Sequence, residues 1–176
     1  MFSITTERAE DGPAIDALLD RAFGTERIQK LSYRYRRNVA PVAGLSLVAR
    51  DAAQAVTGTI RYWPVAIGVR HLPALLLGPL AVEPALAGQG IGRALIRESL
   101  DMAAWGRHVR VLLVGDQDYY GRFGFLPAQL HGIVMPGENP ERLLALALRP
   151  GALADTSGIL QPWRSVRRRS RRLKAA

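Results

Sequence analysis

The sequence predicts a single α/β domain built on a mixed sheet. Three observations carry that expectation. Strand-like and helix-like segments alternate along the chain. Two apolar runs, ALLLGPLAV (74–82) and RVLLVG (110–115), lack the every-second-residue alternation of a half-exposed strand, so they read as strands covered on both faces. Between them, a glycine-rich passage opens directly into apolar residues spaced three and four apart, the period of a helix. With 176 residues the chain can bury one sizeable core and is too short for a separate second one.

In chain order, FSITT (2–6) is a short strand. Asp11 before Gly12-Pro13 marks a helix entry, and Ile15, Leu18, Leu19, Ala22 and Phe23 give that helix one apolar face, ending near Gly24. TERIQKLSYRYRR (25–37) reads as a second helix capped by Thr25, with Ile28, Leu31 and Tyr35 on one face and a cationic, solvated remainder. LSLVARD (45–51) and AVTGTIRYWPVAI (55–67) are strands around a turn at 51–54. Within 74–82, Gly78-Pro79 predicts a bulge or splay, because proline cannot donate to a ladder, and a splayed strand offers its backbone to a ligand. Ile91, Leu95, Ile96, Leu100 and Ala103 set a helix running to Trp105, with Gly106 at its stop. RVLLVG is a buried strand, DQDYYGRFGF (116–125) a short helix or turn, and GIVM (132–135) and RLLALAL (142–148) strands. The order of strands in the sheet is not readable from one sequence.

Composition removes several classes of function. There is no cysteine, which excludes disulfides, thiolate nucleophiles and cysteine metal sites. His71, His108 and His131 are dispersed and have no acidic cluster beside them, so no metal is expected. The polar start, MFSITTERAEDG, is unlike a signal peptide, and no apolar stretch approaches the roughly 20 residues that span a bilayer; a cytoplasmic protein is expected.

The stretch AVEPALAGQGIGRALI (81–96) carries glycines at 88, 90 and 92 between a strand and a helix. Such a passage presents unpaired N–H groups at the positive end of a helix dipole, where an anion belongs, and glycine lets the main chain approach a diphosphate without Cβ collisions. A dinucleotide fingerprint fits poorly, since Arg93 stands where its third glycine belongs, and a Walker loop fails for want of its lysine. The plain alternative is a helix packed tightly on its strand.

A second motif decides between them. GPLAVEPALAGQGIGRALI (78–96), followed by YYGRFGF (119–125), resembles the GNAT superfamily of acyl-CoA N-acyltransferases, in its YhbS-like branch. The matching pattern is a strand ending V-x-P, a Q/R-x-x-G-x-G/A segment opening a helix, and Tyr-x-x-x-Gly-Phe after the next strand. The resemblance implies a GNAT-type, mostly antiparallel central sheet flanked by helices and splayed at the coenzyme site, with residues 1–163 as the acetyltransferase domain and 164–176 as a basic tail. It implies acetyl-CoA as co-substrate, its pyrophosphate cradled by Ala87, Gly88, Gln89, Gly90, Ile91, Gly92 and Arg93. Leu80, Ala81 and Val82 would meet the pantetheine arm, with the main chain of Leu80 and Val82 treating it as an added strand. Ala87 departs from the Gln or Arg usual there, a loss that Gln89 is placed to offset.

The same resemblance puts Tyr120 at the general-acid position of a direct attack by a primary amine on the thioester. With an ordinary pKa near 10 a tyrosine keeps its proton at neutral pH, and the expectation is that it passes in a favourable direction to a thiolate of pKa about 8.5. Tyr119 adjoins it, and either ring has packing as its alternative use. No base of equal standing is visible among Glu83, His71, His131 and Asp116, which favours an amine of low pKa or a base acting through water. In folds of this kind the acceptor is met by the first helices and the strands opposite the coenzyme, which here nominates Tyr33, Arg34, Arg61 and Trp63. The expected acceptor is a small molecule or peptide amine, and the expected assembly a monomer or homodimer.

The net charge of +9 is mostly local: residues 164–176 hold seven of the 24 basic residues and no acid, leaving 17 basic against 15 acidic residues before them. Such a tail is a solvated extension or an arm for polyanions, and nucleic-acid binding through it should weaken steeply with salt. Three functional classes therefore stand at this point: a catalytic N-acetyltransferase, a non-catalytic coenzyme A-binding regulatory module, and a nucleic-acid-binding protein resting on the tail alone.

Overall fold

The structure, a computed structural model, describes residues 1–163; the basic tail at 164–176 lies outside the described residues. Nine strands form the sheet: β1 (Ser3–Thr6), β2 (Leu47–Arg50), β3 (Val56–Ile67), β4 (Leu72–Val82), β5 (Arg110–Val114), β6 (Leu126–Pro127), β7 (Ile133–Val134), β8 (Leu143–Ala147) and β9 (Gly158–Pro162). Four α-helices accompany them: α1 (Gly12–Phe23), α2 (Leu31–Arg36), α3 (Ile91–Trp105) and α4 (Gln117–Tyr120). The main path runs β1-β2-β3-β4-β5-β8-β6, with β9 bridging β3 and β7. Every pairing is antiparallel except β4 with β5 and β7 with β9.

The unalternating strands are apolar throughout because helices cover both faces of the sheet's centre. Leu75, Leu77, Val111 and Leu113 pack under Leu95, Ile96 and Leu100 of α3, while Leu76 and Leu112 between them lie on the other face, clustered with Val65 and Leu160 of the sheet and with Tyr35 of α2. Ile15, Leu18 and Leu19 of α1 close over Val48 and Ala81. Full burial of such a side chain is worth about 1.5–3 kcal/mol, so α1 is held by its face and not by its caps.

One local expectation is corrected and two features are added. Asp11 does not cap α1 with its side chain; the carboxylate turns instead to Arg50 on β2, with Nη2 at 2.8 and 2.7 Å, and to the Arg8 N–H at 2.7 Å. The helix expected over 25–37 is broken: a 3₁₀ turn (Thr25–Gln29) without a Thr25 cap gives way at Lys30 (φ −58°, ψ 143°) to α2. Ile28 is therefore 60% exposed instead of sharing a face with Leu31 and Tyr35, and Arg27 turns inward to Asp16, Asp20 and Tyr33. The break lets Tyr35 reach the core, where its hydroxyl donates to the Leu160 carbonyl at 3.2 Å. Strands β6 and β9, bounded or filled by proline and glycine, are additions that the sequence pattern does not announce.

The feature that matters for function is where β4 leaves β5. Their parallel pairing is limited to Leu75 with Val111 and Leu76 with Leu112, while β4 continues along β3 as far as Val82. Across β3, Ile60 faces Leu80 but Tyr62 faces Leu77, so β4 carries one extra residue at Gly78-Pro79. The expected bulge and splay are both present there. Among the described residues no helix is long and apolar enough to cross a membrane.

Candidate active site

Beyond β4 the chain makes a 3₁₀ turn (Pro84–Leu86) and enters α3 through 87–90. Gly88 and Gly90 both have φ +82°, and a Cβ on either would meet nothing within 4 Å. Glycine is required there by conformation, and the space beside it stays open. Gly92 differs: it is helical, and a Cβ would lie 3.3 Å from the Tyr119 hydroxyl and 3.5 Å from Val82 Cγ2. The first helical bond runs from the Ala94 N–H to the Gly90 carbonyl at 3.0 Å, so the N–H groups of Gly88, Gly90, Gly92 and Arg93 have no main-chain acceptor among the described residues. These four residues line a cavity of about 350 Å³ together with Arg122. A helix N-terminus, free amides and two guanidinium groups are chemistry suited to an anion.

A second, larger cleft of about 520 Å³ follows the gap between β4 and β5. Its walls are 77–80 of β4, 113–116 around the end of β5, and Leu31, Tyr33 and Arg36 of α2. The bulge that shapes it is braced by the Trp63 indole, whose Nε1 donates to the Gly78 carbonyl at 2.7 Å. The Glu83 N–H donates to Thr57 of β3 at 2.8 Å; strand alternation then turns the main-chain groups of Val82 and Leu80 to the open side. Tyr119 lines both cavities.

Tyr120 lines the cleft from α4, whose turn is fixed by the Tyr119 and Tyr120 N–H groups donating to Asp116 O at 3.1 and 3.0 Å. Its ring lies edge-on to Tyr119 at 4.9 Å and to Phe125 at 6.0 Å, and a Cβ on Gly115 would overlap it. Burial, with the neighbouring Tyr119 and Asp116, pushes the Tyr120 phenol above its ordinary value. The expected direction of transfer does not hold even at the ordinary values, and the shift widens the gap. A proton rests on the stronger base, and a phenolate from a phenol above 10 is a stronger base than a thiolate near 8.5. Tyr120 stays protonated across the neutral range and is a hydrogen-bond donor.

A family model for the acetyltransferase (GNAT) domain matches residues 43–127, which span the bulged strand, the glycine passage and Tyr120. An N-acetyltransferase of Escherichia coli K12 named uncharacterized, YhbS, is 35% identical over 130 residues, 74% of this chain and 77% of the relative. The chain belongs to the GNAT acetyltransferase family. Another relative of this acetyltransferase, E. coli YjhQ, is 31% identical over 127 residues, covering 72% of this chain and 69% of its own. Among solved structures, the E. coli YhbS complex with CoA superimposes with TM-score 0.82 at 30% identity, over 94% of this chain and 92% of that one. A GNAT acetyltransferase of Brucella melitensis in complex with acetyl-CoA gives 0.71 at 28% identity, over 92% and 95%.

The remaining nominated residues of this acetyltransferase separate into two groups. Leu80 lines the cleft, and Val82, Ala87, Gly88, Gly90, Ile91, Gly92 and Arg93 line the loop cavity. Ala81 points to the opposite face and is buried with Ile15 and Leu18, while Gln89 is exposed and lines neither cavity. Of the acceptor candidates, only Tyr33 lines the cleft. Arg34 is exposed on the other side of its helix; Arg61 is bound by Glu7 at 2.8 and 2.6 Å; Trp63 is the brace of the bulge. Glu83 is engaged by Arg21 at 2.8 Å, and neither His71 nor His131 lines either cavity. Asp116 does line the cleft, 3.5 Å from Arg142. Among the charged residues of the cleft that sequence reasoning does not single out are Arg36 and Glu138. Arg36 is hidden in a cationic run and Glu138 in a polar loop, and no local signal distinguishes either.

Proposed function

We propose that this acetyltransferase moves the acetyl group of acetyl-CoA onto a primary amine of a small molecule or peptide by direct attack, with Tyr120 donating a hydrogen bond to the departing sulfur. The observation that carries the reading is that Tyr119 lines both cavities, with the glycine-rich helix entry on one side and the cleft holding the Tyr120 phenol on the other. Bound acetyl-CoA would supply a thioester carbonyl as the electrophile. The amides of Gly88, Gly90, Gly92 and Arg93 fit a diphosphate, because their hydrogen bonds are unspent and nothing fills the space in front of Gly88 and Gly90. The open-side main chain of Leu80 and Val82 offers an amide-bearing arm the pairing that β5 does not provide.

For proton removal, Asp116 and Glu138 are the carboxylates of the cleft. An amine near pKa 8 is already partly neutral at pH 7.5, whereas a lysine-type amine near 10.4 needs far more help from such a weak base, so α-amines are the better-matched acceptors. The test is thiol release from acetyl-CoA across peptides with free N-termini, lysine peptides, polyamines, aminoglycosides and amino acids, with calorimetric acetyl-CoA binding measured alongside. Turnover with one class of amine supports the reading. Binding without turnover would make the chain a coenzyme A-binding regulatory module instead, and absence of binding would refute both.

A further inference from the structure

Among the described residues of the cleft, one guanidinium holds enclosed nitrogens that no protein group hydrogen-bonds. Arg36, at the end of α2, lies over the Tyr33 ring with its guanidinium carbon 4.5 Å from the centroid. Its Nη2 reaches β4, 3.0 Å from where a Cβ on Gly78 would stand. The residue as a whole is partly covered, but Nε and Nη1 are enclosed and have no hydrogen-bond partner among the described residues. Burial lowers its pKa to about 10, which still leaves it charged at neutral pH. The neighbouring ions are otherwise engaged: Arg27 with Asp16 and Asp20, Arg61 with Glu7, and Arg142 with Asp116. Cations exceed carboxylates on the cleft wall, where Arg27, Lys30, Arg36 and Arg142 face Asp116 and Glu138.

An enclosed guanidinium without an anion is an expensive arrangement, and its planar fork is shaped for a carboxylate. Packing on Tyr33 alone would be served as well by an apolar side chain. A thioester carbonyl could accept one of the N–H groups, yet being neutral it would leave the charge excess in place. We propose that Arg36 is a carboxylate receptor, so that the acceptor is an amine which also bears a carboxylate, as an amino acid does. The assignment rests on the acetyltransferase reading above and adds the substrate class. Glu138, on the same cleft, is then the group of opposite sign available to the ammonium end of such an acceptor.

The experiment compares turnover of α-amino acids with that of their α-amides, using the full chain and acetyl-CoA. The two carry the same amine, and the amide's is no more basic, so ease of deprotonation cannot favour the acid. The acid should be preferred in kcat/KM by at least about 30-fold, the lower end for losing one partner of a buried charge pair. Arg36→Gln should erase that preference by raising KM for the acid far more than for the amide, and Arg36→Lys should restore part of it. Equal use of acid and amide by the wild type overturns the proposal without any variant having to fold, and leaves the acetyltransferase reading intact. An equal fall in kcat for both in Arg36→Gln also overturns it, placing the guanidinium on the thioester carbonyl. Absence of turnover with every amine removes the acetyltransferase reading and this inference together.

Discussion

Tyr119 and Tyr120 are neighbours in sequence with different surroundings. Tyr119 is 36% exposed at the junction of the cavities, while Tyr120 is wedged between Gly115 and Phe125. Removing the Tyr120 hydroxyl as Tyr120→Phe should lower kcat about 100-fold or more, the ordinary contribution of a preorganised hydrogen-bond donor to developing charge, with acetyl-CoA affinity by calorimetry within about twofold of wild type. Gly115→Ala should reproduce much of that loss without touching the phenol, because the added methyl displaces its ring; steady-state kinetics on the two variants side by side checks this. At the other end of the site, Gly90→Ala places a side chain at φ +82°, which costs about 1–2 kcal/mol. The expected result is weaker acetyl-CoA binding at nearly unchanged kcat.

Among the elements, β4 concentrates both structural and functional demands. Its first half is buried on both faces between β3 and β5; its second half keeps β3 and leaves β5, so a strand's edge becomes a wall of the cleft. The extra residue at Gly78-Pro79 is not left to itself, since Trp63 satisfies the bulge carbonyl at 2.7 Å. Trp63→Phe should cost about 1–3 kcal/mol of stability, the penalty for orphaning a buried acceptor, and should raise KM for acetyl-CoA as the bulge relaxes. Urea denaturation and kinetics together measure it. Had Trp63 been an acceptor ligand, KM for the amine would move instead.

For the molecule as a whole, one ion pair ties the entry of α1 to the sheet. Asp11 and Arg50 have side chains only 6% and 7% exposed, and Nη2 to Oδ2 is 2.7 Å. Burial alone would raise the Asp11 pKa, but the hydrogen bonds from Arg50 and the Arg8 N–H, with the charge of Arg50, hold it below the ordinary carboxylate value. A carboxyl depressed in the folded state contributes stability that is full above its unfolded pKa, about 3.9, and is lost as pH falls through the folded value. Urea midpoints taken from pH 7 down to pH 2.5 should therefore decline below about pH 4 in the wild type. In Asp11→Asn the stability at pH 7 should drop by about 3–5 kcal/mol, because Arg50 is left as an uncompensated buried charge, and the acid-dependent part of the decline should shrink.

The sequence by itself determined what is local. Apolar period, glycine and proline positions and the paired motifs at 78–96 and 119–125 were enough for the strands β1 to β5, β7 and β8, the helices α1 and α3, the splay at Gly78-Pro79, and the family. Only the tertiary structure decided what each charged or aromatic side chain meets. Arg27, Arg36 and Arg61 are indistinguishable in composition, yet one is held by Asp16 and Asp20, one by Glu7, and one enclosed beside the cleft with two nitrogens unpartnered. Likewise Asp11 reaches a strand 39 residues away instead of capping its own helix. Periodicity and backbone preference act over a few residues and leave their mark in the string. A polar group's partner is chosen by which surfaces the sheet order brings together, and that order is set by long-range pairings that no short stretch of residues encodes.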